Sequence, residues 1–442
     1  MQTALIINDD ARTEVGSYFV ANYPPFSVWT PDQAPAALDA LNRPRAEGRA
    51  EPLGLYVHIP FCRRRCKFCY FRVYTDKNAR DVDVYLDALA REVALYAHRP
   101  AVAGRSFEFV YFGGGTPSFL SAEQLKRLVG RIGAHWSWEA AREVTFECEP
   151  GTLQKGKLET IKEIGVTRLS LGIEHFDDAI LELNGRAHRS PEIVRAYDWA
   201  REIGFNQINI DLIAGLMGDD DAKWDATVDR AIELDADSVT IYQMEVPHNT
   251  EVARASQAGC VEAPLPNWAT KRRWVDDAFR RFEAHGYDIS SAYTLVKPER
   301  HAGFVYRDAL WHGADMVGMG VASFSHFAGV HYQNLDRWED YIARLEGGKL
   351  PIHRALRVSP RQRMIREFVL QMKTGRVDPA YFRRKFAVDV NAEFAAAWSI
   401  LNERGYTMVD GDAIALTRDG LLRVDALLPL FFDAEFRDIR YT

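Results

Sequence analysis

Cysteine is scarce in this chain, and its scarcity limits the possible classes of protein. Only five of the 442 residues are cysteines, and an odd number without an evident export signal argues against a disulfide framework. The N-terminus, MQTALIINDDARTE, meets acidic residues at once and does not read as a signal peptide. No apolar run approaches the roughly 20 residues that cross a bilayer. We therefore expect a cytoplasmic protein with no membrane partner.

The chain also lacks an excess of positive charge. Its formal net charge is -7, so there is no bulk attraction to nucleic acid or to an anionic membrane. The hydrophobic fraction of 47% is enough for a large core. The length fits about three domains, or one large barrel with an appendage. We expect a monomer that acts on a small molecule and binds no nucleic acid.

Short apolar runs alternate with amphipathic segments over the first half of the chain. The pattern predicts strands at residues 53–59, 107–114, 143–149, 167–174, 206–215 and 237–245. Helices are predicted between them, including residues 81–98 and a helix after Ser121, where SAEQ offers a capping box. Six strand–helix units in succession predict a parallel sheet with helices outside it.

Each predicted strand has one apolar and one polar face. Thr145, Glu147 and Glu149 alternate with apolar residues on their strand, and the neighbouring strands show the same pattern. Burying such polar groups without partners would cost roughly 1–3 kcal/mol each. A curved sheet whose concave face meets a polar ligand avoids this cost. The predicted fold is therefore α/β, a partial (β/α)6 TIM-like barrel.

The pattern of the chain changes outside this region and divides it into four predicted segments. These are an N-terminal extension (1–52), the partial barrel (53–250), a segment that completes the barrel or covers the substrate (251–358) and a helical, winged-helix-like domain (359–442). The last segment has predicted helices at about residues 362–372, 390–404 and 418–430, and a hairpin with an Asp-Gly turn at Asp410 and Gly411. It has no basic recognition helix, so we expect packing or substrate covering rather than DNA binding.

Three of the five cysteines, Cys62, Cys66 and Cys69, lie within eight residues in a CxxxCxxC spacing directly after the first predicted strand. A structural zinc site needs four ligands. His58 would be a candidate fourth ligand, but from its strand it would point into the sheet face. A [4Fe–4S] cluster held by three thiolates keeps one iron open for a small molecule. The loop also carries cations that favour thiolates, namely Arg63, Arg64, Arg65 and Lys67.

This spacing, together with YVHIPFC and GGGTP, resembles the radical S-adenosylmethionine superfamily. Within it, the sequence is similar to relatives of oxygen-independent coproporphyrinogen III oxidase (HemN-like proteins). That group includes the haem chaperone, radical C-methyltransferases and cyclopropanating enzymes. The resemblance covers about residues 50–345, and residues after 345 more loosely.

The resemblance implies roles for individual residues. Cys62, Cys66 and Cys69 would hold a [4Fe–4S] cluster whose open iron chelates S-adenosylmethionine. The further residues implied to bind this cofactor are Tyr56, Gly114, Gly115, Thr116, Glu147 and Glu174. A second S-adenosylmethionine would be bound at Arg186, Asp211 and the backbone of Met244. The resemblance also implies a reductant such as flavodoxin or ferredoxin, and catalytic roles for Tyr56 and Glu174.

Two positions depart from the family pattern. Glu174 in SLGIEHF stands where relatives commonly have glutamine. It would act as a base, pair with Arg186 or accept hydrogen bonds from a ribose. Phe71 stands where the coproporphyrinogen enzyme has a further cysteine, which weakens the case for decarboxylation.

Three functions remain open on these residues. The implied second cofactor site favours an enzyme, and we expect C-methylation or related carbon chemistry on an sp2, aromatic or tetrapyrrole substrate. The alternatives are oxidative decarboxylation of coproporphyrinogen III and a haem chaperone without turnover. Candidate haem ligands for the chaperone are His301, His312, His326 and His331. Aromatic residues near the N-terminus would either cover a flat substrate or attach the extension to the core, namely Tyr18, Phe19, Tyr23, Phe26 and Trp29.

Overall fold

The computed structural model describes residues 15–44, 51–300, 303–437 and 439–441. The chain forms two compact units, each built from separate stretches of sequence. Unit 1 comprises Met1–Val28, Leu212–Ala302 and Ser359–Thr442, and unit 2 comprises Trp29–Asp211 and Gly303–Val358. This division into two units does not test the four segments expected from the sequence, which stay a prediction.

The structure contains both strands and helices along most of the described chain. The strands are β1 (Leu53–Ile59), β2 (Phe109–Gly114), β3 (Glu143–Cys148), β4 (Arg168–Glu174), β5 (Gln207–Ala214), β6 (Ser238–Gln243), β7 (Asp288–Ile289), β8 (Thr294–Val296), β9 (Asp315–Met319), β10 (Phe324–Phe327), β11 (Val330–Asn334), β12 (Ile352–Arg357), β13 (Thr407–Asp410) and β14 (Ala413–Leu416). The helices are α1 (Ala34–Asn42), α2 (Ala79–Ala97), α3 (Ala122–Gly133), α4 (Lys155–Glu163), α5 (Asp178–Leu183), α6 (Ser190–Ile203), α7 (Asp221–Leu234), α8 (Glu251–Gln257), α9 (Trp268–Ala284), α10 (Val305–Trp311), α11 (Trp338–Glu346), α12 (Pro360–Gln371), α13 (Pro379–Phe386), α14 (Val390–Glu393), α15 (Ala395–Glu403), α16 (Arg418–Leu422) and α17 (Val424–Leu427).

The sheet of unit 2 has the strand order β12-β11-β10-β9-β1-β2-β3-β4. Strands β1 to β4 pair in parallel, and β9 pairs in parallel with β1. The predicted alternation of strands and helices is confirmed here, because helices α2, α3 and α4 connect these parallel neighbours. Strands β10 to β12 are antiparallel additions. The result is an α/β fold with a mostly parallel sheet, the partial barrel that the sequence predicted.

Unit 1 contains the remaining strands and most of the C-terminal helices. Strand β8 pairs antiparallel with both β6 and β7, and β13 and β14 form the predicted hairpin. Strand β5 crosses from one unit to the other between Asp211 and Leu212. Among the helices of the described residues, none is long and apolar enough to span a membrane.

The helices begin and end close to the predicted residues, and the differences have local causes. Helix α3 begins after Ser121, whose side chain accepts from the Gln124 amide in the predicted capping box. The single helix expected over residues 390–404 is divided at Phe394, which lies outside helical geometry with ψ of 23°. The closing helix expected over residues 418–430 is also divided, and Pro429, which cannot donate a backbone hydrogen bond, lies in its final 3-10 turn.

The inner strands of unit 2 are buried almost throughout, with few half-exposed positions. The half-exposed residues are Tyr56 in β1, Gly114 in β2, Glu147 in β3, and Gly172 and Glu174 in β4. In the part of β5 that belongs to unit 2, Gln207 and Asp211 are half-exposed. The partly exposed positions of these strands therefore include five residues that the sequence marked as candidate ligand-binding residues, namely Tyr56, Gly114, Glu147, Glu174 and Asp211.

Candidate functional site

The cysteine loop follows β1 and is held by backbone hydrogen bonds at several points. The Cys62 amide donates to the Tyr74 carbonyl at 3.1 Å, and the Cys69 amide donates to the Cys66 carbonyl at 3.1 Å. The Lys67 amide donates to the Asn184 carbonyl, also at 3.1 Å. Cys62, Cys66 and Cys69 carry free thiols and are all half-buried. The loop thus presents three thiols from a fixed backbone.

Two of the three sulfurs receive hydrogen bonds from predicted site residues. The Thr116 hydroxyl donates to Cys62 Sγ at 3.3 Å, and Arg186 Nη1 donates to Cys66 Sγ at 3.3 Å. Burial raises the pKa of the Cys62 thiol to about 12 and that of Cys69 to about 11. Thiolates in this loop therefore need positive charge next to the sulfur, which a bound metal centre supplies.

A structural zinc site needs four ligands, and the cysteine loop supplies three thiols. His58, the candidate fourth zinc ligand, instead lies with its Nδ1 at 3.3 Å from the Tyr56 hydroxyl. The donor set of three cysteines fits a [4Fe–4S] cluster with one open iron.

The glycine segment after β2 packs directly against β1 and the start of the cysteine loop. Gly114 has a φ of +114°, and a Cβ there would lie 2.6 Å from the His58 ring. A Cβ on Gly115 would lie 2.9 Å from the Phe61 carbonyl oxygen. Glycine is therefore required at both positions by the protein's own packing. This close approach also brings Thr116 to its sulfur partner.

Glu147 lies near the end of β3, facing the same glycine segment. Its Oε1 accepts from the Tyr111 hydroxyl at 2.6 Å, and its Oε2 accepts from the Gly114 amide at 3.1 Å. Burial raises the pKa of Glu147 to about 7; the Tyr111 hydrogen bond opposes this shift and Asp211 adds to it. Near neutral pH this carboxyl can therefore exchange a proton or accept a hydrogen bond from a cationic ligand.

Arg186 joins the cysteine loop to Glu174. Its guanidinium contacts Cys66 Sγ, donates to the Gly172 carbonyl at 2.6 Å and lies 3.4 Å from Glu174 Oε1. Burial raises the pKa of Glu174 to about 7, although Arg186 opposes the shift. Of the three roles considered for Glu174, pairing with Arg186 is present in the structure.

Asp211 and Tyr56 both have partners within unit 2. Asp211 Oδ2 accepts from the Ser170 hydroxyl at 2.8 Å, and its Oδ1 accepts from Asn209 Nδ2 at 2.9 Å. The Tyr56 ring stacks on Tyr111 with centroids 5.8 Å apart, and burial raises its pKa well above the usual value. The Tyr56 hydroxyl therefore stays protonated, and it can donate a hydrogen bond.

Met244, the remaining candidate, belongs to unit 1. Its amide donates to the Ala214 carbonyl at 2.9 Å, and its carbonyl accepts from Lys271 Nζ at 2.7 Å. Both backbone groups thus already have protein partners. A ligand could use only the second lone pair of the carbonyl.

The sequence did not predict one group of interacting residues beside the cysteine loop. Arg63 donates to both carboxylate oxygens of Glu149, at 3.1 and 3.0 Å, and His188 Nδ1 lies 3.0 Å from Glu149 Oε1. Burial tends to raise the pKa of Glu149, but hydrogen bonds from His188 and Arg63 outweigh it and lower the pKa to about 2. Because Arg63 follows Cys62 directly, this group anchors the cysteine loop. Glu149 and Glu147 share a strand face in the sequence pattern, but nothing in the sequence signals the partners of Glu149.

Two of the four histidines considered for haem lie against each other. His326 and His331 face each other across β10 and β11 with Nδ1 atoms 2.8 Å apart. The Nδ1 atom of His312 lies 2.7 Å from the Asp308 carbonyl oxygen. His301 lies outside the described residues.

Aromatic residues near the N-terminus pack against the core of their own units. In unit 1, Tyr18 stacks on Tyr441 with centroids 4.4 Å apart, and Tyr23 packs on Phe432. In unit 2, Trp29 stacks on His331. These contacts attach the N-terminal segment, the second of the two roles considered. The remaining two, Phe19 and Phe26, pack against Tyr293 and Tyr441 in unit 1.

Comparisons with known proteins show the family and the fold of the chain. Residues 56–231 match the model of the radical SAM superfamily. The chain is 30% identical over 373 residues to the haem chaperone HemW of Bacillus subtilis, covering 83% of this chain and 96% of that protein. It is 28% identical over 412 residues to oxygen-independent coproporphyrinogen III oxidase of Pseudomonas aeruginosa, covering 89% and 88%. The structure of coproporphyrinogen III oxidase (HemN) from Escherichia coli superposes with a TM-score of 0.81 at 25% identity, covering 94% and 96%.

Proposed function

The chain belongs to the radical S-adenosylmethionine superfamily, in the group that contains HemN and HemW, and we propose that it is an oxidising enzyme acting on a tetrapyrrole-class substrate. In this proposal Cys62, Cys66 and Cys69 hold a [4Fe–4S] cluster that binds S-adenosylmethionine. When bound, cluster and cofactor supply a 5′-deoxyadenosyl radical that removes a hydrogen atom from the substrate. The observation that carries the proposal is the Arg186 guanidinium, which contacts both Cys66 and the Glu174 carboxylate.

The residues around the thiols would do the positioning. Arg186 and Thr116 hold two ligand sulfurs by hydrogen bonds, which fixes sulfur geometry and offsets negative charge. Glu147 and Glu174 offer carboxyls of raised pKa on the half-exposed positions of the sheet. Each suits an ammonium or hydroxyl group of the cofactor, since each can accept a charge-assisted hydrogen bond. The packed strands around them would exclude water from the radical.

The proposed reaction is based on the relatives that match this chain along most of its length. These are named as coproporphyrinogen oxidases and haem chaperones, so their names give no support to the C-methylation favoured by the sequence. In the methylation hypothesis the second S-adenosylmethionine, at Arg186, Asp211 and Met244, would supply the transferred carbon. Asp211 already accepts from Ser170 and Asn209, and a second cofactor would have to displace or share these contacts. We therefore propose a single S-adenosylmethionine as sufficient for hydrogen abstraction.

A haem chaperone without turnover is the second candidate, supported by the 30% identity to HemW. In that case the same thiols would hold the cluster, and haem would bind stably with no change in its carbon skeleton. Product analysis separates the two candidates, because only the enzyme converts its substrate.

The test is anaerobic reconstitution with iron and sulfide, followed by reduction and addition of S-adenosylmethionine and coproporphyrinogen III. We expect 5′-deoxyadenosine together with carbon dioxide from a substrate propionate, with the one electron released in the decarboxylation passing to an added one-electron acceptor. A Cys66→Ser variant is the control and should release neither. S-adenosylhomocysteine in place of carbon dioxide would assign methyl transfer. Haem retention without any product would assign the chaperone, and 5′-deoxyadenosine release unchanged in Cys66→Ser would overturn the cluster assignment.

A further inference from the structure

The cysteine loop carries an unusual concentration of positive charge. Between residues 60 and 75 the sequence has five cations and no aspartate or glutamate, although the whole chain has a net charge of -7. The cations are Arg63, Arg64, Arg65, Lys67 and Arg72. Charges of one sign this close together repel each other, which destabilises the loop unless groups of opposite charge offset the repulsion.

The structure neutralises only part of this charge. Arg63 pairs with Glu149, and Arg72 lies 3.2 Å from Asp336. Arg65 is exposed, and its guanidinium donates to the Cys69 carbonyl at 3.1 Å, which leaves its charge unpaired. Arg64 is exposed as well and forms no ion pair with any described residue. Two exposed guanidinium groups next to the thiols therefore have no acidic partner in the described chain.

A pair of exposed aromatic rings adjoins these cations in the sequence. Tyr70 and Phe71 directly follow Cys69, are 40% and 43% exposed and lie with ring centroids 4.5 Å apart. They are two of only seven large hydrophobic side chains that are exposed among the described residues. Exposed aromatic rings next to arginines are the composition of protein–protein hot spots.

We propose that Arg64, Arg65, Tyr70 and Phe71 form the docking surface for an acidic one-electron carrier protein. The inference rests on the proposed function, because the carrier is the electron source for the cysteine-bound cluster. One electron would leave the carrier's reduced flavin or iron–sulfur centre and reduce the cluster, with no bond formed or broken. The arginines would steer the acidic carrier, and the two rings would supply the apolar contact.

The exposure of these side chains favours a protein partner over the substrate. A radical intermediate has to be shielded from water, whereas Arg64 and Arg65 are exposed. A tetrapyrrole with carboxylate groups would also match arginines and aromatic rings. Substrate binding is therefore the outcome that the test must separate from carrier docking.

The test is charge reversal at the loop, with an equal reversal elsewhere as control. The test variant is Arg64→Glu/Arg65→Glu, and the control is Arg195→Glu/Arg201→Glu on the exposed face of α6. Both change the net charge by the same amount. The first readout is the Kd of an oxidised bacterial flavodoxin for the immobilised protein, measured at low and high salt. It does not depend on turnover.

We expect the Kd to rise about tenfold in the loop variant and no more than about twofold in the control, with a weaker salt dependence only in the loop variant. The second readout is 5′-deoxyadenosine release driven by flavodoxin, divided by release driven by reduced methyl viologen. This ratio should fall about tenfold in the loop variant, and by a similar factor in Tyr70→Ala/Phe71→Ala.

Equal Kd values in the loop variant and the control would overturn the proposal. So would a raised substrate KM with methyl viologen as the reductant, because that result assigns the surface to the substrate. Absence of 5′-deoxyadenosine with either reductant would contradict the proposed function alone, since flavodoxin binding would still be measurable.

Discussion

Arg63 and Glu149 form a two-point ion pair directly beside the first cysteine of the loop. Two nitrogens of one guanidinium reach both oxygens of one carboxylate at 3.0 to 3.1 Å. The side chain of His188 is fully buried. One of its ring nitrogens contacts the same carboxylate, and the other lies 3.0 Å from the Ile173 carbonyl oxygen. The pair therefore connects the cysteine loop to β3 and β4. Loss of the pair should weaken the binding of iron by the cysteines.

Glu149→Gln should weaken iron loading. The substitution removes the charge and leaves Arg63 and His188 with one acceptor oxygen, at a cost of about 1–3 kcal/mol. We expect less iron per chain after reconstitution and faster loss of iron to a chelator. The matched control is Glu163→Gln, since Glu163 forms a single exposed ion pair with Lys126. Equal chelation rates in both variants would show that the pair does not anchor the loop.

Arg186→Lys should slow S-adenosylmethionine cleavage at least tenfold. A lysine ammonium can donate to one or two partners, but it cannot reproduce the planar guanidinium that reaches Cys66, Gly172 and Glu174. The measurement is 5′-deoxyadenosine release per cluster, together with the electron paramagnetic resonance spectrum of the reduced cluster. Arg195→Lys on α6 is the control and should match the unmodified protein. A lysine variant with an unchanged spectrum and rate would contradict the positioning role of Arg186.

Gly114→Ala should prevent stable assembly of the site. The backbone at Gly114 lies in the left-handed region, and the added methyl group would lie 2.6 Å from the His58 ring. Gly130 in α3 is the matched control, because a Cβ there meets nothing within 4 Å. Alanine at 130 should stabilise the helix by about 0.5–1 kcal/mol. Thermal unfolding of the two variants should therefore shift in opposite directions, and a shift in the same direction would refute the packing argument.

The buried Glu92 should make stability depend on pH. It accepts from the Gly320 amide at 2.8 Å, and from Tyr341 and Asn334 at 2.6 Å each. Burial nevertheless raises its pKa from 4.5 to about 7. The folded state then holds a proton that the unfolded state releases between these values, so stability should fall as pH rises through this window.

Over that window the loss amounts to roughly 3 kcal/mol. The measurement is chemical unfolding of the unmodified protein and of Glu92→Gln at pH 5 and pH 8. Glutamine cannot ionise, so the difference in stability between the two proteins should shift in favour of Glu92→Gln at pH 8. A difference that is the same at both pH values would contradict this assignment.

The sequence predicted the parallel strands well because their signal is local. Alternation of apolar and polar residues along β1, β3, β4 and β5 placed the strands and also selected the positions that are half-exposed, such as Glu147 and Glu174. The short antiparallel strand β12 and helix α1 were missed. Both lie in segments without a clear period. In the structure they pack against each other, and Thr30, which precedes α1, forms a bridge with Ala355 of β12.

Partners that are distant in the sequence could not be predicted from it. Arg63 and Glu149 are 86 residues apart, and His188 is 39 residues beyond Glu149. No local pattern encodes such a pairing, which exists only once β1, β3 and β4 align. The pairing of Glu174 with Arg186 was considered because a carboxylate stands at a position where relatives commonly have glutamine. The roles of these residues towards a cofactor stay predictions.

Glu174 has a φ of 67°, a backbone conformation that a long side chain adopts only at an energetic cost. Glycine would relax the backbone there but would remove the carboxylate next to Arg186. Directed evolution for heat resistance alone should therefore enrich glycine at position 174, whereas evolution under a demand for turnover should retain glutamate. The residue at this position would then report which of the two pressures a lineage had experienced.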